Sequence, residues 1–191
     1  MTTSKVPYYV MKTRNSNRML CGSLATPHRT ESWTLGRPFK TQPKDPVVAR
    51  IREGDENGEL LPYFDNPQLI SDALYETLLE VGVNNMDVYE AVIRSVDGTI
   101  EHRGYKAMNL LGLVSAADMS KTEFFEHNPS RLIDASIKKL VIDEAATQGF
   151  LMFRLAESTE IVLVHEMVKQ AIEAKGFHSI VFDDPGSIVT L

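Results

Sequence analysis

Seven of the nine prolines in this 191-residue chain lie before residue 68: Pro7, Pro27, Pro38, Pro43, Pro46, Pro62 and Pro67. Each one removes a backbone donor and fixes φ, so a run of them bars helix interiors and central strands. The stretch from Asn15 to Glu59 is also poor in periodic apolar residues, and it closes in the turn cluster Gly54-Asp-Glu-Asn-Gly58. It reads as extended segments and turns, preceded by a short strand over Tyr8–Lys12. A long irregular stretch in a chain of this size is either functional or mobile. The expected division is an extended, Pro-rich, basic segment over 1–60 and one compact unit over 61–191.

From Pro67 the pattern changes. Leu69, Ile70, Ala73, Leu74, Leu78 and Val81 recur at helical spacing and Gly82 ends the run, which predicts an amphipathic helix. Met86–Val96 is rich in Val, Ile and Tyr; Asp97-Gly98 and a second β-prone run through Tyr105 to Leu111 follow it. That order predicts a hairpin with positive φ at both turn positions, and Gly104 marks a bulge in the returning strand. Ser120 with Glu123 three residues on predicts a capped short helix holding Phe124 and Phe125. Strands are expected at Ile137–Ile142, Phe150–Leu155 and Ile161–Val164. A second helix puts Val164, Met167, Val168, Ala171 and Ile172 on one face and ends at Gly176, before a strand over Phe177–Phe182 and a turn at Asp183–Gly186.

One internal echo runs at an offset of 94 residues: Leu69-Ile70 against Leu163-Val164, Leu74 against Val168, Leu78 against Ile172, and Gly82-Val83 against Gly176-Phe177. Duplication gives such an echo, and so do two unrelated amphipathic helices capped by Gly. The class that fits this order is α+β, with a mainly antiparallel sheet, two principal amphipathic helices and a long irregular N-terminal segment.

Charge divides along the same line. The formal charge of −6 is the sum of +4 over residues 1–60 and −10 over residues 61–191. An acidic body repels nucleic acid and attracts basic partners in a salt-dependent way. Nucleic acid is therefore disfavoured as a partner, except through the basic residues Lys12, Arg14 and Arg18. The single cysteine, Cys21, excludes an intrachain disulfide framework and any multi-cysteine zinc site. There is no apolar run of signal-peptide or membrane-spanning length, so a cytoplasmic location without membrane association is expected.

The motifs of catalysis are incomplete. His165-Glu166 opens like the zinc-protease helix, but Lys169 stands where the second His belongs. No phosphate-binding Gly loop and no nucleophile elbow occurs. The pairs Asp143-Glu144 and Asp183-Asp184 are sequence neighbours that point apart on a strand, as turn residues do. No catalytic residue, metal ligand or cofactor site is assigned. Arg154, in Phe150-Leu-Met-Phe-Arg-Leu155, shares a strand face with Phe150 and Met152. A buried ion pair with a carboxylate is the favoured role there, and binding an anionic ligand the sharper one. Trp33, the lone tryptophan, either pins the irregular segment to the core or anchors a partner.

A resemblance lies in the segment from Tyr105 onward. Its pieces are Tyr105-Lys-Ala-Met-Asn109-Leu, Asp118, Leu140-Val-Ile-Asp143, Leu151-Met-Phe-Arg154-Leu, the Ile161–Val164 strand, and the amphipathic helix with Gly176. With Ile70-Ser71-Asp72 at the first helix, their order and spacing over residues 67–183 resemble the immunity-protein family of bacterial polymorphic toxin systems typified by a myxobacterial immunity domain. His165 departs from the pattern, where a small capping residue like Ser71 is expected. The resemblance implies a non-enzymatic inhibitor that binds a cognate toxin with a basic surface and protects the producing cell. Complementary charge on the acidic body would speed that association. The candidate partner contacts are Trp33, Asp118, Glu123, Glu126 and His127. Monomer and homodimer both stay open, as do two other functions: a small enzyme with a pocket around Arg154, and a nucleic-acid-binding regulator using the basic N-terminal segment.

Overall fold

Ser71 and His165, 94 residues apart, each end a short strand and start a helix, and the two helices are built alike. In the computed structural model, which describes residues 8–14, 19–125 and 137–187, β5 (Leu69–Ser71) runs straight into α1 (Asp72–Glu80). Likewise β12 (Val162–His165) runs into α2 (Glu166–Ala174). Ser71 Oγ accepts from the Leu74 N–H at 3.2 Å, and His165 Nδ1 accepts from the Met167 N–H at 3.2 Å. The imidazole thus does the capping work for which a smaller residue was expected, and it occupies one of the first orphan donors of the helix. Gly82 (φ +97°) and Gly176 (φ +78°) follow the two helices in the left-handed region that favours glycine.

The likeness extends to whole sheets. The first also holds β4 (Tyr63–Phe64), β6 (Met86–Arg94) and β7 (Glu101–Leu110), and the second β1 (Tyr8–Thr13), β11 (Met152–Leu155) and β13 (Ile180–Asp183). Four strands of one sheet read β6-β7-β5-β4 and four of the other β13-β1-β12-β11, antiparallel at each of these steps. The registers correspond residue by residue. Ser71 faces Tyr105 as His165 faces Tyr8; Val88 faces Met108 as Phe182 faces Met11; Phe64 faces Leu69 as Phe153 faces Leu163. The strand that completes the second set is β1, from the other end of the chain. The second half is a circularly permuted copy of the first in topology, and the 94-residue echo is its sequence trace.

Period-2 alternation sorts these strands into inner and outer faces. Met108, Ile70 and Tyr63 of one sheet meet Met11, Val164 and Met152 of the other in a shared core, with Leu74 and Leu78 of α1 and Val168 and Ile172 of α2. The helices pack on one another and on their own sheets, and Lys175 pairs with Glu80 across them at 3.0 Å. Each of those fully buried aliphatic side chains contributes about 1.5–3 kcal/mol by leaving water. Two outer cores complete the molecule. Leu69, Phe64, Tyr105 and Ala107 pack under residues of the 19–61 region, and Leu163, Phe153, Tyr8 and Val10 pack under Val114, Ala116, Leu140 and Ile142.

The first sixty residues, expected as an extended arm, are woven into both sheets. Besides β1, they supply β2 (Leu20–Cys21) and β3 (Val47–Ile51), and β3 adds to β6 in parallel. Between them, residues 22–46 carry no strand or helix, as the prolines dictate. A second parallel pair joins β8 (Leu113–Val114) to β11.

Several boundaries differ from the sequence reading for local reasons. Leu69 and Ile70 belong to a strand, because Ser71 caps the helix after them. Met167 is 52% exposed, since the second helix buries only Val168 and Ile172 fully. The 94–101 hairpin has one left-handed residue, Gly98, because its loop is longer than two residues and closes on Ser95. Gly104 (φ +84°) sits in the expected bulge, where β7 holds one residue more than β6 between Ala91 and Ile93. The short helix expected after Ser120 does not form: Glu123–Phe124 is a strand, β9, paired with β10 (Ile137–Lys139). The Asp118 carboxylate captures the Ser120 N–H and hydroxyl, which ends the coil after one turn.

Candidate functional site

Trp33 is held by the sheet beneath it. Its ring meets Phe39 edge-on at 4.7 Å and Tyr89 of β6 at 5.7 Å, and its Nε1 donates to the Ala25 carbonyl at 3.3 Å. At 7% exposure it pins the irregular segment to the outer face of the first sheet. Asn109 adds a second tie, donating from Nδ2 to the Arg37 carbonyl at 2.8 Å. Tyr105, on the same strand face, donates instead to the Leu61 carbonyl at 3.0 Å, and burial pushes its phenol up to about 12.

Under this segment lies a cavity of about 290 Å³. Its walls come from three places: Glu31 and Trp33 of the irregular segment, Asp65 and Gln68 of the β4–β5 turn, and Arg154 and Glu160 beside the β11–β12 turn. The two turns are equivalent in the two halves, so the cavity sits where the halves meet. Arg154 and Asp65 occupy matching positions, each one residue past the paired phenylalanines Phe153 and Phe64. Arg154 is 1% exposed and its Nη1 donates to the Thr159 carbonyl, but among the described residues its Nε and Nη2 have no partner.

Among the described residues, no carboxylate pairs with Arg154 as the sequence led one to expect. Strand geometry explains this: Arg154 points with Met152 toward the interior, whereas Glu160 lies exposed at the end of the turn. Burial pulls the guanidinium down from its ordinary value, and the nearby Tyr63 and Glu160 oppose that pull. Burial and the nearby Asp65 drive the Tyr63 phenol well up. Two more residues of the cavity wall each bury an oxygen that has no partner among the described residues, Gln68 Oε1 and Glu31 Oε2. A wider cleft of about 710 Å³ adjoins it, shares Ser23, Leu24 and Pro67, and carries Lys44 and Arg50.

The loop of the other candidate contacts lies on the opposite sheet. Asp118 is committed within its own turn, pairing with Lys121 and accepting from Ser120, and these partners hold its carboxyl down at about 2. Glu123 is half-exposed and lies 3.6 Å from Lys138. Glu126 and His127 fall outside the described residues. Met119 (46% exposed) and Phe125 (55% exposed) bracket this strip with apolar surface that the sequence reading did not single out. Lys12, the core of the proposed nucleic-acid arm, sits in β1 and pairs with Asp183 at 3.0 Å. Trp33 and the 118–123 strip are thus not brought together.

Of the cavity residues only Arg154 and Trp33 carry a signal in the sequence, a charge inside an apolar strand and a lone indole. Gln68, Glu31 and Glu160 sit in turns with none. Among the described residues, no helix is long and apolar enough to cross a membrane, and no group of three His, Cys, Asp or Glu side chains is placed to hold a metal.

The sequence matches the Immunity protein family (Imm11) over residues 7–187. The chain belongs to that family. The match takes in β1 and the irregular segment as well as the region that carried the resemblance, in keeping with a fold that needs both ends of the chain. No curated protein matches the sequence.

Proposed function

We propose that this chain is an immunity protein that binds a cognate toxin in the cytoplasm of the producing cell and blocks it by occupancy, without catalysis of its own. The family match over nearly the whole length carries this reading. The acidic balance of residues 61–191, −10, supports a toxin with a basic surface, because complementary fields raise the association rate and disfavour wrong partners.

For the contact surface we favour the strip from Asp118 to Phe125, continuing into Glu126 and His127. It pairs exposed apolar groups, Met119 and Phe125, with the half-exposed carboxylate of Glu123. Interfaces commonly combine an apolar centre with a polar rim in this way. Trp33 supports the irregular segment and touches a partner only through the mouth of its cavity.

Growth of cells expressing the toxin domain encoded beside this chain tests the reading. Co-expression restores growth, and Phe125→Asp weakens protection while the chain stays folded. Growth arrest that is unchanged by abundant, folded chain refutes it.

A further inference from the structure

The first sheet stops short at its β2 edge. β2 pairs with β3 only through Leu20 and Cys21, opposite Ile51 and Arg50. Gly22 then enters the left-handed region (φ +70°) and takes the chain off the sheet. Alternation along β3 decides what is left behind. Arg52 donates its N–H to the Met19 carbonyl at 2.7 Å, so Arg52 with Met19 and Arg50 with Cys21 are the pairs whose backbone groups face each other. Val48, two residues before Arg50, turns its N–H and C=O to that same side, past the end of β2 and away from β6. Among the described residues no backbone group meets them there. Val48 is half-buried and lines the cleft of about 710 Å³, whose walls come from the stretches 21–27 and 41–46. Lys44 and Arg50 are the only charged side chains lining that cleft, and both are exposed. Arg50 also stands beside Arg94 of β6, whose partner Glu101 is shared with Arg103. Three guanidiniums to one carboxylate leave a cationic edge, and like charges side by side are unfavourable.

We propose that this edge of β3 takes an extended acidic segment of a partner protein as an added strand. The segment continues the line of β2, antiparallel to β3, and its residue opposite Val48 exchanges two backbone hydrogen bonds with Val48. That residue's side chain shares a face with Arg50 as its diagonal neighbour, within reach of a long side chain. A glutamate there meets the Arg50 guanidinium, and Lys44 on the cleft wall supplies a second cation. The free edge thus selects an extended backbone, and two cations without an acid select a carboxylate. The sign is opposite to that of residues 61–191, so a basic toxin surface is not what this edge attracts. The site stands apart from toxin neutralisation, and its test needs no toxin.

Titration of the nitrogen-15-labelled full-length chain with the acetylated, amidated pentapeptide Thr-Val-Glu-Val-Thr tests it by NMR. Saturable shifts with a Kd of about 1 mM or tighter are expected for a ligand of this size. At a peptide concentration ten times the Kd, the Val48 amide exchanges with solvent about tenfold more slowly, because only the free fraction exposes it. Replacing the glutamate by lysine weakens binding about tenfold or more, and so does N-methylation of the glutamate amide, which removes the donor to the Val48 carbonyl. The double variant Lys44→Gln/Arg50→Gln, at two exposed positions, weakens the acidic peptide about fivefold or more and leaves the melting temperature unchanged. Should that variant misfold, the peptide series and the Val48 amide still decide. No saturable binding, equal affinity for the lysine peptide, affinity undiminished by N-methylation, or affinity untouched in a folded double variant overturns the proposal.

Discussion

The two halves of this molecule solve one packing problem with different residues. In the continuous half, Tyr105 meets Phe64 edge-on at 5.9 Å and donates to the Leu61 carbonyl at 3.0 Å. In the permuted half, Tyr8 meets Phe153 at 5.5 Å and donates to the Phe150 carbonyl at 2.9 Å, at equivalent positions. Lys106 lies over Tyr75 in one, and Lys169 over Tyr9 in the other, with cation and ring exchanged between strand and helix. The inner faces of both halves are apolar. A difference of charge stands at Asp65 and Arg154, which line a cavity that both halves share. The two halves match in geometry where packing demands it and differ in chemistry where they leave a space.

If β1 is the counterpart of β7, the first thirteen residues are not a dispensable arm. Deleting residues 1–13 removes the strand between β12 and β13, and the cooperative unfolding transition followed by circular dichroism disappears. A truncated chain that melts like the full one breaks the comparison outright.

Next in size are matched core truncations. Leu78→Ala in α1 and Ile172→Ala in α2 occupy equivalent, fully buried sites, and each lowers the unfolding free energy by about 2–5 kcal/mol in urea titrations. A loss confined to one of the two shows that the helices do not share one core.

Smaller again are the tyrosine hydroxyls. Tyr105→Phe and Tyr8→Phe each leave a carbonyl without its donor, and each costs about 0.5–1.5 kcal/mol by the same titration. Similar values sharpen the equivalence.

The smallest effect belongs to Asp118, which has no counterpart in the other half. Its carboxyl titrates at about 2, below an ordinary aspartate near 4, because Lys121 and Ser120 favour the charged form. A depressed folded value means that its contribution is complete above pH ~4 and is lost as pH falls through ~2. Carbon-13 NMR of the carboxyl gives the midpoint directly. In Asp118→Asn the stability difference from the parent shrinks over that acid window and is flat above it.

Much of this was legible in the sequence, for physical reasons that differ by element. The two helices declare themselves through apolar spacing and Gly caps, and the 86–111 hairpin through its β-branched run, Gly98 and Gly104. The 94-residue echo held the internal repeat, but permutation hid its extent: the fourth strand of the second set precedes the first set in the chain. Nothing local in Tyr8–Thr13 says that it pairs with residues more than 150 positions away. The Ser120–Glu123 spacing looked like a capping box, and a side-chain turn at Asp118 took the same donors instead. The cavity was half legible. Arg154 stood out as a charge in an apolar strand, whereas Glu31, Gln68 and Glu160 reach it only by tertiary folding.

The most direct test of the proposed protective role is a calorimetric titration of the purified chain into toxin domains cloned from the genes flanking it, with toxin activity assayed on the same samples. Neutralisation by occupancy predicts a saturable complex of fixed stoichiometry, loss of toxin activity in proportion to the bound fraction, and an association rate that falls as salt is raised. A toxin that remains fully active in the presence of excess folded chain, with no heat of binding, contradicts it.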